Sequence, residues 1–204
     1  MALKTLVKVG NISSLSDARY CAGMGVDILG FSMVESSDDY VSADDYKEIV
    51  GWVSGPKLAG EFSGASLEQI IEKNEVLKFD FLQVSDIDIA NFLARDHKVI
   101  YALDLSGFSA LDEAVSHLNK LNDDIAYVLI DSDEQELSFE VDLSQLSANH
   151  ETLNGYGVNA DNVIQQISDS VVAGIALKGS VETKPGFKDY DELADILEAL
   201  EDDD

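Results

Sequence analysis

The sequence contains little cysteine, proline and arginine, and it has no long hydrophobic run. Its single cysteine, Cys21, excludes an internal disulfide and any metal site made of several cysteines. Only two prolines occur and no serine- or glycine-rich linker interrupts the chain, so we predict one domain over residues 1–200 and an acidic tail over residues 201–204. No apolar run approaches the ~20 residues that span a bilayer, and the opening MALKTLVKVG is too weakly apolar for a signal peptide. We therefore expect a cytoplasmic protein.

Basic residues are scarce relative to acidic ones. The chain has 13 lysines and arginines against 40 aspartates and glutamates, a formal net charge of -27, and only Arg19 and Arg95 are arginines. Nucleic acids and anionic membranes are bound mainly through lysine and arginine, so this composition argues against both as partners. The excess acid favours solubility or a saline cytoplasm as its explanation. A specific basic partner is the alternative.

The sequence does contain enough apolar residues for a sizeable core, 46% of the total, and they lie in short runs that alternate with helix-like stretches. Eight runs resemble strands: 5–9, 27–31, 57–62, 79–84, 98–105, 126–131, 151–155 and 173–179. This alternation predicts an α/β protein with a parallel sheet and helical crossovers. Eight strands close a (β/α)8 TIM barrel, for which about 200 residues is the lower limit. An open doubly wound sheet, with about five or six strands, is the alternative.

Helix starts are predicted between these runs. Ser66 with Gln69, and Asp189 with Glu192, have the spacing of a capping box, in which two side chains satisfy each other's backbone amides. Ser42 precedes a segment with acidic residues in its first turn, which suits the helix dipole. In the last helix Leu193, Leu197 and Leu200 share one stripe, which is typical of packing against a core.

Glycines are placed after the seventh and eighth strand-like runs, in NGYGVNADNV and KGSVETKPGFKD. In a barrel these loops meet at the carboxyl ends of the strands, where backbone amides and a helix start commonly bind phosphate. Gly155, Gly157 and Gly179 suit that role, since glycine lets the backbone approach an anion. The alternative is that these glycines only form turns.

The motifs themselves resemble a family, the phosphoribosylanthranilate isomerases of tryptophan biosynthesis. KGSVETKPGFKD is similar to the family's SGVE-S/T-x-PG-x-KD, NGYGVNADNV to AGGLNPENV, and SDDYVS to SPRYVS. KVGN followed by GVDILGF is similar to a Lys-x-Cys-Gly motif followed by G-A/V-D-x-L/I-G-F, and LQVSD to a strand ending in VQLHG. The chain is identified as a divergent member of this family, with the motifs in order over nearly its whole length.

The resemblance implies a barrel enzyme that converts an aminoaldose phosphate to an aminoketose by acid–base catalysis, with no metal or organic cofactor. The ligand would be a phosphorylated ribose-type molecule, bound by a monomer or homodimer. Asp131 matches the family's general acid, with Asp133 as a second candidate. The phosphate cradle would include Gly155, Gly157, Gly179 and Ser180. The family's catalytic cysteine falls on Gly10 and its substrate arginine on Asp39, so the base and a positive charge are both replaced.

Two hypotheses follow from these replacements. The first is an isomerase with a substitute base, for which Glu35, Glu61, Asp86 and Asp104 are candidates at strand ends. Glu61 is the most suggestive, because KLAGEF has a carboxylate where the family's VGVF strand is apolar; an acidic residue exposed at the strand edge explains it as well. The second is a catalytically inactive barrel that binds a phosphorylated metabolite or a protein partner. Cys21, inside the first helix pattern, is predicted to be a buried core residue.

Overall fold

A computed structural model of the chain describes residues 2–134, 136–169, 171–179, 181–184 and 187–202. Eight parallel strands form a closed barrel in the order β1 to β8. They are β1 (Leu6–Gly10), β2 (Ile28–Ser32), β3 (Lys57–Glu61), β4 (Phe81–Val84), β5 (Val99–Asp104), β6 (Tyr127–Asp131), β7 (Thr152–Asn154) and β8 (Gly174–Lys178). The (β/α)8 prediction is confirmed, because β1 pairs with β8 and leaves no edge strand in the barrel.

A helix follows each barrel strand. The helices are α1 (Leu15–Gly23), α2 (Ala43–Val50), α3 (Leu67–Leu77), α4 (Ile87–Leu93), α5 (Leu111–Leu118), α6 (Leu143–Leu146), α7 (Val163–Asp169) and α8 (Asp191–Ala199). Between β8 and α8 the backbone of β9 (Val181–Lys184) pairs antiparallel with β10 (Phe187–Asp189). The segment predicted as a loop is therefore largely a hairpin, consistent with the β-branched and aromatic residues on either side of its Pro-Gly pair.

Two of the three predicted helix starts are confirmed. The Ser66 side chain accepts a hydrogen bond from the Gln69 amide, and the Gln69 side chain accepts one from the Ser66 amide, so the capping box is complete. Ser42 caps α2. The capping box predicted at Asp189 is wrong: α8 begins one residue later, with Tyr190 at the N-cap position and no side-chain cap bond. Asp189 is instead the last residue of β10, so its backbone belongs to the strand pair and not to the start of the helix.

The core has two layers, as the barrel geometry requires. Inside the barrel lies a cluster of seven residues, Ile28, Ala59, Phe81, Ile100, Leu129, Leu153 and Ala176. A larger cluster fills the space between the strands and the helices, and it contains Cys21, Leu193, Leu197 and Leu200 as predicted. Because apolar side chains fill the lower barrel, a ligand has room only above them, at the carboxyl ends of the strands.

The chain ends meet at the opposite side of the barrel. The Asp202 amide donates to the Ala2 carbonyl, and Leu3 forms an antiparallel bridge with Glu201. In the part of the chain that the structure describes, no helix combines the length and the hydropathy needed to cross a bilayer.

Candidate active site

A cavity of about 1080 Å³ opens at the carboxyl ends of the barrel strands. Its floor and walls come from the ends of β1, β3, β4, β6 and β8, and from the loop after β7. The charged side chains among its described lining residues are Lys8, Glu61, Asp131, Asp133, Glu134, Lys178, Asp191 and Glu192. Two lysines therefore face six carboxylates. This is the position at which barrel enzymes place their active sites.

Glu61 is the most buried carboxylate of this cavity. It is the last residue of β3 and is 7% exposed, while Lys8 on β1 is 1% exposed. Lys8 Nζ and Glu61 Oε1 lie 2.5 Å apart, and the Asn11 amide donates to Glu61 Oε2 over 3.1 Å. The pair fulfils the rule that a buried charge needs a partner and hydrogen bonds. The alternative that Glu61 is an acidic residue exposed at a strand edge is therefore wrong, because its side chain points into the barrel.

Gly10 leaves the space that Glu61 occupies. A Cβ atom added at Gly10 would lie 2.6 Å from Glu61 Oε1 and 3.0 Å from Lys8 Nζ. A Cβ atom at Gly30, on the intervening strand β2, would meet the same carboxylate at even closer range. The carboxylate can adopt this position only because both neighbours lack a side chain. It thus lies where a side chain at position 10 would begin.

Asn11 joins Glu61 to Asp39. Besides its amide bond to Glu61, Asn11 donates from Nδ2 to Asp39 Oδ2 over 2.8 Å. Its backbone has a φ of 55°, a left-handed conformation that asparagine tolerates better than most residues. Asp39 is partly buried, and its carboxylate accepts a hydrogen bond from the side-chain amide of Asn11. The position predicted to have lost an arginine is therefore a hydrogen-bond acceptor for Asn11, which lines the cavity.

Asp131 pairs with Lys178 on the other side of the cavity. Lys178 Nζ lies 2.8 Å from Asp131 Oδ2, and Asp131 Oδ1 accepts from the Ser132 amide over 2.8 Å. Burial alone would lower the pKa of Lys178, but the hydrogen bond and charge of Asp131, with the charges of Asp133 and Asp104, raise it above its usual value. At neutral pH the pair therefore carries a proton on Lys178 at the edge of the cavity.

The other predicted bases lie outside this cavity's lining. Glu35 is exposed, and Asp86 caps α4 by accepting from the Asp88 and Ile89 amides. Burial would raise the pKa of Asp104, but hydrogen bonds from the Ser106 hydroxyl and amide and from the Asp133 amide hold it below its usual value. Of the four candidates, Glu61 alone lines the cavity.

The predicted glycines do meet at the cavity, but two of their amides are engaged. Gly155, Gly157 and Gly179 all line it. The Gly155 amide donates to the Ile130 carbonyl over 2.7 Å, and the Gly179 amide donates to the Gly10 carbonyl over 2.8 Å. Gly157 has a φ of 68°, which glycine adopts without strain. Ser180 lies outside the described residues, and the phosphate role of all four stays a prediction.

Sequence reasoning missed the two lysines. Strand alternation places Lys8 on the same face of β1 as Gly10, and this pattern was available as a signal. Lys178 is the last residue of β8 and lies two residues after Ala176, which faces the inside of the barrel. The same alternation therefore predicts that Lys178 lies on the inner face of β8. Among the described residues, no group of three or more histidine, cysteine, aspartate or glutamate side chains is placed to hold a metal ion.

Comparison with known proteins places this geometry in context. Residues 7–199 match the family described as N-(5'phosphoribosyl)anthranilate (PRA) isomerase. The chain is 26% identical over 206 residues to the N-(5'-phosphoribosyl)anthranilate isomerase of Maridesulfovibrio salexigens, covering 97% of this chain and 99% of that protein. The corresponding protein of Gloeothece citriformis is 25% identical over 211 residues, with 95% and 93% coverage.

Solved structures give the same fold. The crystal structure of phosphoribosyl anthranilate isomerase from Thermotoga maritima superposes with a TM-score of 0.77, at 22% identity, over 96% of this chain and 98% of that one. A phosphoribosyl anthranilate isomerase in complex with reduced 1-(o-carboxyphenylamino)-1-deoxyribulose 5-phosphate superposes with a TM-score of 0.76, also at 22% identity, with 96% and 98% coverage.

Proposed function

The chain belongs to the N-(5'-phosphoribosyl)anthranilate isomerase family, and we propose that it catalyses the aldose-to-ketose isomerisation of a phosphorylated ribosylamine, with Glu61 in place of the family's thiol. One observation carries this proposal. The Glu61 carboxylate lies 2.6 Å from where a Cβ atom at Gly10 would be, so a proton acceptor occupies the position that the missing cysteine would fill. A general base must be fixed in position before its pKa matters, and Lys8 and the Asn11 amide fix this one.

The reaction needs four proton movements. The Lys178–Asp131 pair delivers a proton to the ring oxygen of the sugar, which opens the ring to a Schiff base at C1'. Glu61 then accepts the proton from C2', and the electron pair released there forms the enolamine. Protonation at C1' and loss of the proton from the C2' hydroxyl group then give the aminoketose, so two protons are added, two are removed, and substrate and product are isomers. Lys8 keeps the Glu61 carboxylate at the cavity floor throughout, because it is buried beside it.

The phosphate of the substrate would lie at the loops after β7 and β8. Gly157 supports this placement, since it lines the cavity and an added Cβ atom there would have no neighbour within 4 Å, so a ligand could approach the backbone closely. Lys178 contributes a cation on the same side, at the end of β8. One related isomerase binds a 5-phosphate compound. Ser180 belongs to this proposed cradle by its place in the sequence.

The second candidate function is a catalytically inactive barrel that binds a phosphorylated metabolite or a protein partner. The carboxylate at Asp39 favours it, since the family has an arginine there by resemblance. Glu61 and Asp131 are also each paired with a lysine, an arrangement that purely structural ion pairs share.

Turnover in heavy water separates the two candidates. The purified protein is incubated with N-(5-phosphoribosyl)anthranilate and, separately, with its ortho-carboxamide analogue, and the products are followed by NMR. We expect an aminoketose to form from at least one of them, with solvent deuterium at C1', because the proton added there exchanges with water. If both substrates decay only at the uncatalysed rate, the isomerase proposal fails and the binding role remains.

A further inference from the structure

A side compartment of about 230 Å³ opens beside the main cavity, at the carboxyl ends of β2, β3 and β4. It adjoins the main cavity, because Asn11, Glu61 and Gln83 line both. The remaining described lining residues of the compartment are Ser32, Val34, Ser36, Ser37 and Ser63. A sugar bound above Glu61 would therefore have this compartment next to its reacting carbons.

The compartment offers hydrogen-bond acceptors and hydroxyl groups but no cation among its described lining residues. Gln83 Oε1 is buried and has no hydrogen-bond partner among the residues that the structure describes. A buried carbonyl oxygen left without a donor costs free energy, and native structures rarely retain one without a reason. A ligand N–H or O–H group placed here would satisfy it.

The charge around the compartment is negative. Glu61 is part of its lining, and the side chain of Asn11, which also lines it, is bonded to the Asp39 carboxylate. Lys8 is already bonded to Glu61. A ligand carboxylate in the compartment would meet the Glu61 carboxylate, with Asp39 behind Asn11, and no arginine among the described lining residues that could form bidentate hydrogen bonds. An amide or amine would meet complementary groups instead.

We propose that this compartment binds the nitrogen substituent of the sugar phosphate and selects a neutral or cationic group with N–H donors, such as a carboxamide or an amine, over an aryl carboxylate. The identity of the sugar phosphate rests on the proposed function. The preference for a donor rests on Gln83, Asp39 and Glu61, so it holds for a bound ligand whether or not the ligand is turned over.

Binding of three non-reacting compounds tests the selection. The first is reduced 1-(o-carboxyphenylamino)-1-deoxyribulose 5-phosphate, and the other two carry a carboxamide or a hydrogen in place of its ortho carboxylate. Since all three share the sugar phosphate, differences in Kd by calorimetry report on the compartment. We expect the carboxamide to bind at least about tenfold more tightly than the carboxylate, and more tightly than the hydrogen compound.

Two variants assign the preference to named residues. Asp39→Arg should improve binding of the carboxylate compound by about tenfold and reverse the order. Asp39→Asn is a smaller change and serves if the arginine variant does not fold. It should reduce the difference in Kd between the carboxylate and the carboxamide compounds. Gln83→Leu should weaken binding of the carboxamide compound until its Kd equals that of the hydrogen compound, because the variant removes the acceptor oxygen of Gln83.

The outcomes of binding and turnover are distinguishable. Tighter or equal binding of the carboxylate compound by the unaltered protein would overturn the selection, even if the protein turns substrate over. If the Kd values follow the predicted order but no substrate is turned over, the preference for the carboxamide is confirmed and the isomerase proposal is wrong. Absence of binding by all three compounds would overturn both.

Discussion

Replacing Lys8 by methionine should lower the free energy of unfolding by about 3–5 kcal/mol, because it leaves the Glu61 carboxylate buried without its cation. Glu61 is 7% exposed and Lys8 1% exposed, so water that reaches Glu61 from the cavity is a poor replacement for the buried cation. Of the described donors to Glu61, the Asn11 amide would remain. Denaturant unfolding of the purified variant measures the change directly.

Two further variants control for the loss of a lysine as such. Lys57→Met removes an exposed lysine whose Nζ lies 3.3 Å from Asp80, with side-chain exposures of 63% and 38%. It should cost no more than about 1 kcal/mol. The double variant Lys8→Met with Glu61→Leu should recover most of the lost stability, since removing both charges of a buried pair is often neutral. Similar losses for Lys8→Met and Lys57→Met would show that the Lys8–Glu61 pair is not buried as described.

Replacing Glu61 by glutamine should reduce kcat for the isomerisation by about 10²–10⁴-fold. Glutamine retains an oxygen acceptor for the Lys8 ammonium, so the side chain can keep its place, but it cannot remove a proton from C2'. KM should change much less than kcat, because glutamine keeps an oxygen acceptor for donor groups of the bound ligand and loses only the ability to take up the C2' proton. Initial rates of ketose formation give both constants.

Glu35→Gln is the matched control for that variant. It makes the same chemical change on an exposed carboxylate that was also a candidate base from the sequence. Its rate should equal that of the unaltered protein. An equal loss in both variants, or no loss in Glu61→Gln, would remove Glu61 from the mechanism.

The sequence predicts the scaffold well because the signals for it are local. Each barrel strand is a short apolar run, and the Ser66 capping box is contained within four residues. The failed prediction at Asp189 has a local cause too: the same spacing occurs by chance where a strand, β10, ends just before a helix. The spacing of two residues in the sequence does not decide which of two adjacent positions becomes the N-cap of the helix.

The candidate site is less predictable because it depends on neighbours across three strands. Gly10 lies on β1 and Glu61 on β3, with β2 between them, so their meeting depends on the stagger of the closed barrel. The sequence shows that Gly10 lacks the family's cysteine and that Glu61 is an unexpected carboxylate in an apolar strand. It does not show that the Glu61 side chain occupies the space in which a side chain at position 10 would lie. The Lys178–Asp131 pair similarly joins β8 to β6.

The most direct test of the relation between positions 10 and 61 is a double-mutant cycle on the free energy of unfolding, with Gly10→Cys, Glu61→Val and the two combined. A Cβ at Gly10 would displace the Glu61 carboxylate, whereas with valine at position 61 the thiol would have room beside Lys8. The account predicts that Gly10→Cys is far less destabilising in the valine background, with a coupling of about 1–3 kcal/mol. Additivity within about 0.5 kcal/mol would contradict it, since the two positions would then not share one space.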